Sequence, residues 1–594
     1  MKSKVWMSLA AMLMIFSMLL TACGESPTAT PVPPPPAATD TPSGGGSTAA
    51  PTNTTAPPAA ATDTPAAVVI KGGEGILRYN QGGEPDTIDP QQMSFVGEIG
   101  IGQLIFEGLM ELNEDLKPVP AAAKTMDISP DGLVYTLTLN DNLKYSDGTP
   151  LTAHNFDYAW HRLFDPRVPN RQYSFVAYDI QGAEELDNTP MTDTAKIDSG
   201  MAALGVKALD DKTIVFTLKN KAAYFPYILT LWTGWPSRQD LVEKGGDSWT
   251  TDKNGTYYVG NGPFVMKEYN PPQNMQMVAN ANYRKGQPKL KELDAVFITD
   301  SAVSFQSYKK GELDTVALAA EDLKTVQGDP TLKADLVQIA GNCSFYLGFN
   351  VTKPPFDNIK VRQAFAQAFN RQDYVDNVLN GLGTVATSFV PPGRPGYAPD
   401  IKMYEFNVDT AKKTLADAGF PNGQGLAPIK ITYSSTPRNK TRMEWVQNQI
   451  KINLGIDVTL DPVESKAYTA LVKDPNTTPQ LFFLGWCQDY PDPQDWLTLV
   501  FHSSSSVTHI GWKNDQFDQL VRAADIEQDA TKRLDMYHQA QVILVQEAPA
   551  VFLYWDTTNV LIQPYVQGMR EHASPQDAVV PGFFNISNIT VGPH

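Results

Sequence analysis

A short apolar run followed by acidic and aromatic residues is the stretch of this sequence best suited to ligand chemistry. The run, Leu481 to Cys487, is bounded by turn residues and predicts a buried strand. Asp489 follows it, between Trp486 and Tyr490. Because ligands of open α/β sheets collect beyond the carboxyl ends of strands, this carboxylate in an aromatic setting is suited to an ammonium group. The alternative is that it and the next two aspartates are turn formers and helix caps.

Composition narrows the class of protein. The chain has 594 residues, 42% of them hydrophobic, and a net charge of −18, so it is large enough for about three globular domains. The acidic balance is unlike the basic surface that a nucleic-acid binder needs, and no nucleic-acid partner is expected. The seven histidines show no metal-binding spacing, so no metal and no cofactor are expected either.

The N-terminus has the features of an export signal. Lys2 and Lys4 precede the apolar run Val5 to Leu20, which predicts a signal peptide over residues 1–22. The segment Leu20-Thr21-Ala22-Cys23 resembles the bacterial lipobox. This resemblance implies cleavage before Cys23 and a lipid on its sulfur, which would anchor the protein at the outer face of the bacterial cell membrane, within the cell envelope or periplasm. A plain signal peptide with an incidental cysteine is the alternative.

Residues 23–70 are rich in Thr, Pro and Ala. This segment has too little apolar surface to fold, so we expect a disordered tether between the membrane and a folded body. A mucin-like or wall-spanning stalk is the competing interpretation.

Five segments between Gly75 and about Ile589 form recognisable motifs. They are Ile88-Asp89-Pro90, Phe106-Glu107-Gly108-Leu109, the strand, turn and helix of residues 131–156, Gly260-Asn261-Gly262-Pro263-Phe264, and Gly485 to Tyr490. These motifs resemble those of family 5 of the bacterial extracytoplasmic solute-binding proteins, which serve peptide ABC transporters, and the oligopeptide-binding members are the most similar.

The resemblance implies an α/β protein with the type II periplasmic-binding-protein fold, in which two lobes are joined by a hinge and an extra domain is inserted. The predicted boundaries are 71–106, 229–342 and 558–594 for the first lobe, 107–228 for the inserted domain and 343–557 for the second lobe.

The implied function is to capture a peptide between the lobes and deliver it to the permease of an ABC transporter in the membrane. Such a protein is a binding protein rather than an enzyme, and we expect a monomer. In the family, the carboxylate matching Asp489 holds the peptide ammonium. The resemblance further places in the site Gly485, Trp486, Cys487 and Tyr490 around that carboxylate, Ser94, Phe95 and Val96 as backbone contacts, and Tyr173 as a pocket tyrosine.

One position departs from the family pattern. Phe483 occupies a site that is basic in some oligopeptide binders, which puts ligand length and the need for a free carboxyl terminus in doubt. Arg438 and Lys440 are possible substitutes as carboxylate anchors, and a solvated charged loop is the alternative.

The cysteines give a further constraint. Only Cys23, Cys343 and Cys487 are present. If Cys23 carries lipid, the other two remain as a pair in an oxidising compartment, and we predict a disulfide between them. Oligopeptide binders resemble this chain in having both cysteines. Two buried free thiols are the alternative.

Two other functions compete with peptide capture. An oligosaccharide binder of the same fold would use Trp486, Tyr490, Trp496 and Trp235 as stacking faces. A secreted hydrolase would pair Asp489 with Asp492 or Asp495, although the chain lacks a nucleophile elbow and zinc motifs.

Overall fold

The computed structural model describes residues 72–594 except 247–248, 251–257, 506, 508 and 574–582. The predicted signal peptide, the lipidated Cys23 and the tether lie outside the described residues. In the described part of the chain, none of the helices combines the length and the apolarity that a membrane span requires.

Strands and helices are mixed along the whole described chain, with runs of consecutive strands such as those of residues 110–139 and 264–296. The strands are β1 Ile76–Asn80, β2 Met110–Leu112, β3 Pro118–Pro120, β4 Ala123–Ile128, β5 Val134–Leu139, β6 Val206–Ala208, β7 Thr213–Thr217, β8 Phe264–Asn270, β9 Asn274–Ala279, β10 Glu292–Val296, β11 Thr315–Ala317, β12 Leu336–Phe349, β13 Thr384–Val385, β14 Ile429–Ser434, β15 Val458–Val463, β16 Leu481–Cys487, β17 Ala550–Ile562, β18 Val566–Gln567 and β19 Thr590–Val591. The α-helices are α1 Val96–Ile105, α2 Ala153–Phe164, α3 Ala183–Asp187, α4 Thr194–Ala203, α5 Phe225–Ile228, α6 Gln239–Gly245, α7 Ser301–Lys309, α8 Leu323–Gly328, α9 Pro330–Asp335, α10 Ile359–Ala368, α11 Arg371–Asp373, α12 Val408–Asp417, α13 Pro437–Leu454, α14 Ser465–Lys473, α15 Pro493–Trp496, α16 Thr498–Phe501, α17 Asp515–Ile526 and α18 Ala530–Glu547.

One mixed sheet runs through the molecule, in the order β15-β14-β16-β12-β17-β11-β1-β10-β9-β8, with β13 paired to β17. Strands β14 and β16 are parallel, whereas β16 is antiparallel to β12. The carboxyl ends of β14 and β16 therefore reach the same edge of the sheet, where loops and helix starts can surround a ligand.

The long antiparallel strands β12 and β17 connect the two halves of this sheet. Their pairing shifts register between Ala340 and Ser344 and again between Phe345 and Tyr346. Because a bulge disrupts the ladder and bends the strand, we expect the lobes to move about residues 340–344, which we call the hinge stretch. The predicted boundary at 342/343 lies within this stretch, and the one at 557/558 follows Thr557, the partner of Ala340 on β17; the exact division into domains stays a prediction.

Two large hydrophobic cores lie on the two sides of this stretch. The core of the first lobe contains Leu77, Trp160 and Ile562, and the core of the second lobe contains Tyr346 and Trp496. The α/β fold with two lobes, predicted from the sequence, is thus confirmed.

The inserted segment contributes the separate sheet β4-β5-β7-β6. Its helix α2 follows the N-cap Thr152, which forms a capping box with Asn155. Trp160 and Phe216 of this segment belong to the same core as Leu77 of the first lobe. The inserted segment is therefore packed onto the first lobe as one body.

Candidate ligand-binding cleft

A cavity of about 590 Å³ lies between the two lobes. This volume is in the range typical of small-molecule and short-peptide sites. The second lobe contributes its wall at the end of β16. The lining residues used below are Ser94, Phe95, Val96, Gln103, Glu111, Tyr173, Trp232, Trp235, Lys285, Gly485, Trp486, Cys487, Asp489 and Asn585.

The end of β16 brings Asp489 to the cavity wall. The backbone N–H of Gln488 donates to the carbonyl oxygen of Asn342 at 2.8 Å, which fixes the chain just before Asp489. The Oδ2 atom of Asp489 is buried and has no hydrogen-bond partner, and burial raises the pKa of this carboxyl group to about 8. A buried polar oxygen without a partner costs free energy. The position is therefore suited to a positively charged donor from a ligand.

Asp495 is a second buried carboxyl group coupled to Asp489. Its Oδ1 atom has no partner, while its Oδ2 atom accepts a hydrogen bond from Trp486 Nε1 at 3.3 Å. Burial and then the charge of Asp489 raise the pKa of Asp495 well above its ordinary range. Because two neighbouring carboxyl groups in a buried site do not both ionise readily, a cation beside them would favour the ionised form.

Asp492 has the structural role that the sequence alternative gave to all three aspartates. It caps α15 by accepting from the backbone N–H of Gln494 at 2.9 Å, and it forms a buried ion pair with Arg533 at 2.6 Å. Neither Asp492 nor Asp495 is part of the cavity wall. The carboxylate pair on which the hydrolase alternative depends is therefore not presented to the cavity.

Aromatic rings cover the cavity beside Asp489. Tyr173 packs edge-on against Trp232, with their ring centroids 5.0 Å apart. Burial raises the pKa of Tyr173, and the charges of Asp489 and Asp495 raise it further, so its hydroxyl lies near both carboxyl groups. Trp232 is fixed because its Nε1 donates to the carbonyl oxygen of Met93 at 2.9 Å. The aromatic setting expected around Asp489 is thus formed largely by the first lobe and the inserted segment.

The loop before α1 forms the opposite lip of the cavity. The backbone N–H groups of Ser94 and Phe95 donate to the carboxylate of Glu98, at 2.9 and 3.1 Å. Phe95 and Val96 are 63% and 48% exposed, although both are large apolar residues. Exposed apolar side chains at the edge of a cavity are suited to contact with a ligand.

Three predicted site residues lie away from the cavity wall. Tyr490 is 1% exposed and stacks on Tyr224 of the inserted segment, with their ring centroids 6.3 Å apart. Phe483 is buried against Phe345. Arg438 is exposed at the start of α13. Tyr490 does not line the cavity because its ring packs into the core of the first lobe.

Several lining residues were missed by the sequence analysis. Lys285 and Glu111 form an ion pair at 2.5 Å, and Gln103 and Asn585 line the same region. These residues come from segments far apart in the chain. No spacing pattern joins them, and only the fold brings them together.

The two cysteines beside the cleft are paired. Cys343 on β12 lies opposite Cys487 on β16, and the structure joins them in a disulfide. The backbone N–H of Cys343 also donates to Asp556 Oδ1 at 2.8 Å, and burial raises the pKa of Asp556 to about 6. The bond therefore attaches the strand that carries Asp489 to the hinge stretch.

Comparison with known proteins agrees with this architecture. The sequence profile of "Bacterial extracellular solute-binding proteins, family 5 Middle" matches residues 117–507. The oligopeptide-binding protein OppA of Bacillus subtilis is 32% identical over 82% of this chain and 88% of its own length. The probable deoxycholate-binding periplasmic protein YgiS of Escherichia coli is 31% identical over 85% of this chain and 92% of its own length. A crystal structure of the periplasmic oligopeptide-binding protein OppAIV from Borrelia burgdorferi superposes with a TM-score of 0.71 at 28% identity, covering 86% of this chain and 99% of that one.

The fold and the cleft are thus those of an extracytoplasmic solute-binding protein with the type II periplasmic-binding-protein architecture. The chain belongs to family 5 of the bacterial extracellular solute-binding proteins, as its motifs predicted.

Proposed function

We propose that this protein captures peptides in the cleft between its lobes and delivers them to the permease of an ABC transporter. One observation carries the proposal: the cavity wall contains a buried carboxylate oxygen, Asp489 Oδ2, that has no partner. The α-ammonium of a peptide supplies both the charge and the hydrogen-bond donors that this oxygen lacks. Similarity to an oligopeptide-binding relative supports the same ligand class.

The proposal includes a lipid anchor at Cys23. A diacylated cysteine followed by a long polar tether would keep the body near the membrane and leave it free to reach a permease. The sequence before Cys23 supports this part of the proposal.

Calorimetry of the wild type and Asp489→Asn with one peptide, in free and N-acetylated forms, tests the ligand class. Asn keeps the shape and removes the charge. We expect the wild type to bind the free peptide a hundredfold or more better than the acetylated form, because an unpaired buried charge costs about 3 to 5 kcal/mol. Asp489→Asn should lose that preference.

Asp417→Asn is the matched control, since it removes one exposed carboxylate that pairs with Lys413 at 3.0 Å. It should bind both peptides as the wild type does. Equal binding of the free and acetylated peptides by the wild type would refute ammonium recognition at Asp489.

A carbohydrate is the second candidate ligand, because Trp232, Trp235 and Trp486 line the same cavity. Tryptophan faces stack on sugar rings as readily as on peptide side chains. Oligosaccharides belong in the same calorimetric series, and saturable binding of one of them together with no response to peptides would favour this candidate.

A further inference from the structure

Next to Asp489, the cavity wall contains a second polar side chain with unused hydrogen-bonding atoms. Gln488 lines the cavity and is only 6% exposed. Within the described part of the chain, neither its Oε1 atom nor its Nε2 atom has a hydrogen-bond partner. A buried amide that makes no hydrogen bond costs free energy, because it has lost the water that would satisfy its donor and its acceptor. Gln488 is therefore suited to a ligand group that supplies both partners.

The polar side chains on either side of this residue are bonded within the protein. Trp486 Nε1 donates to Asp495 Oδ2 at 3.3 Å, and the hydroxyl of Tyr490 donates to Gln494 Oε1. These internal bonds leave the polar atoms of Gln488 unused, together with one oxygen of the carboxylate that follows it. The unused amide and the unused carboxylate oxygen thus belong to consecutive residues of the cavity wall.

The backbone that carries the Gln488 side chain is fixed. Its N–H donates to the carbonyl oxygen of Asn342 at 2.8 Å, which extends the pairing of β16 with β12 by one residue. The preceding residue, Cys487, is joined to Cys343 by the disulfide. Because little backbone freedom remains to be lost on binding, the amide is pre-organised for a ligand of matching chemistry.

A primary carboxamide is the ligand group that matches this side chain. The amide of Gln488 offers an acceptor and a donor, and a second primary carboxamide can meet both along one planar edge. A carboxylate only accepts hydrogen bonds and an ammonium or guanidinium only donates them, so each leaves one atom of Gln488 unpaired. The trans peptide group of a ligand backbone directs its N–H and C=O to opposite sides, so it also reaches only one of the two atoms.

We propose that Gln488 is a specificity-determining residue that selects peptides with asparagine or glutamine at one of their first two positions. This inference rests on the proposed function, because Asp489 fixes the ammonium end of the ligand. Consecutive Cα atoms are about 3.8 Å apart, so Gln488 lies beside the ligand residues nearest to that ammonium. An apolar side chain of the same size is disfavoured there, because it leaves the buried amide unpaired.

Competitive capture by the full-length protein tests this inference. Pentapeptides of otherwise mixed sequence carry Asn, Leu, Gln or Met at position 1, 2 or 5, and are presented in equal amounts with a free N-terminus. Captured peptides are quantified by mass spectrometry. We expect the wild type to enrich Asn over Leu and Gln over Met about tenfold at position 1 or 2, the value of two neutral hydrogen bonds, with ratios near one at position 5.

Gln488→Met keeps the length of the side chain and removes both polar atoms, so it should bring all these ratios close to one. Its preference for free over N-acetylated peptides, which reports on Asp489, should remain. Gln539→Met is the matched control, because Gln539 is exposed on α18, where its Nε2 donates to Asp535 Oδ2 at 2.8 Å. This control should keep the wild-type ratios.

Equal capture of carboxamide and apolar peptides by the wild type, with its preference for free over acetylated peptides intact, would overturn the inference alone. This comparison needs no variant, so it decides the matter even if Gln488→Met fails to fold. A Gln488→Met protein that keeps the carboxamide preference would also overturn it, as would one that loses affinity for all peptides by the same factor. Failure of the wild type to capture any peptide would instead contradict the proposed function, and the inference with it.

Discussion

Three aspartates within seven residues have three different environments. Asp492 is neutralised by Arg533 and caps a helix, Asp495 is buried behind Trp486, and Asp489 faces the cavity with an unpartnered oxygen. Sequence spacing alone does not separate these roles, because an aspartate at any of the three positions suits a turn. The difference comes from which neighbours the fold supplies, and those neighbours are distant in the chain.

The raised pKa of Asp489 gives a pH dependence to ligand binding. Since burial raises this pKa to about 8, from an ordinary value of about 3.9, the ligand-free site is protonated at neutral pH and must release that proton to bind an ammonium. Affinity should rise by up to about tenfold per pH unit between pH 6 and 8 and fall above pH 8, where a peptide α-amino group of pKa about 7.7 to 8.0 loses its charge.

Calorimetry at pH 6, 7 and 8 in buffers of different ionisation enthalpy measures both the affinity and the proton release. In Asp489→Asn, binding should be weaker and nearly independent of pH over this range. A wild-type affinity that is unchanged from pH 6 to pH 7 would contradict the assignment.

Among the elements, β16 and the loop after it provide the second lobe's wall of the cavity. The sequence predicted this strand within its observed limits, Leu481–Cys487, because a short apolar run bounded by prolines and polar residues has few other solutions. It could not predict that Tyr490 turns into the opposite lobe, or that Lys285 and Asn585 reach the cavity, because these contacts depend on how distant segments pack.

The disulfide ties β16 to the hinge strand, and its loss should be measurable. Cys343 and Cys487 are 144 residues apart, and closing a loop of that length stabilises the folded state by about 5 kcal/mol in the chain-entropy account. The Cys343→Ser, Cys487→Ser double variant should therefore unfold at lower denaturant concentration and bind peptides more weakly, because Asp489 follows Cys487 closely.

Denaturant unfolding measures the loss of stability in the double variant, and calorimetry measures its loss of affinity for peptides. Mass spectrometry of an unreduced digest checks the bond itself in the wild type. Recovery of the two cysteine peptides separately, under conditions that prevent reduction, would show that they are free thiols.

At the scale of the whole molecule, the lobes meet through more than the hinge. Tyr490 of the second lobe stacks on Tyr224 of the inserted segment, and the backbone N–H of Ala223 donates to the carbonyl oxygen of Asp525 at 2.9 Å. These contacts join the two lobes in the structure. A ligand held by both lobes should favour the closed form of the cleft, by the difference in its affinity for the closed and open forms.

Small-angle scattering tests this closure through Tyr490→Ala. Burying a ring of this size contributes about 1.5 to 3 kcal/mol, so the ligand-free variant should open and show a larger radius of gyration than the ligand-free wild type. Saturating peptide should compact the variant. Equal radii for both proteins, with and without peptide, would argue against a hinged trap.

A further prediction concerns Cys23, which we expect to attach the protein to the membrane. Cys23→Ser removes the thiol that a lipid would modify, and the protein should move from the membrane fraction to the soluble fraction, since one unlipidated signal-cleaved chain has no anchor. Fractionation followed by immunoblotting measures this. A variant that stays with the membrane would show that attachment does not depend on Cys23.

The placement of Tyr490 in the core of the opposite lobe has a kinetic consequence. A bound molecule leaves only after the cleft opens, and opening withdraws this ring from its apolar surroundings. The cost of withdrawing this ring is added to the opening step of every complex, whatever side chains the ligand carries, and the ligand's own contacts with both lobes add to it. Tyr490→Ala should therefore speed the dissociation of chemically different peptides by a similar factor, while the differences among the peptides remain.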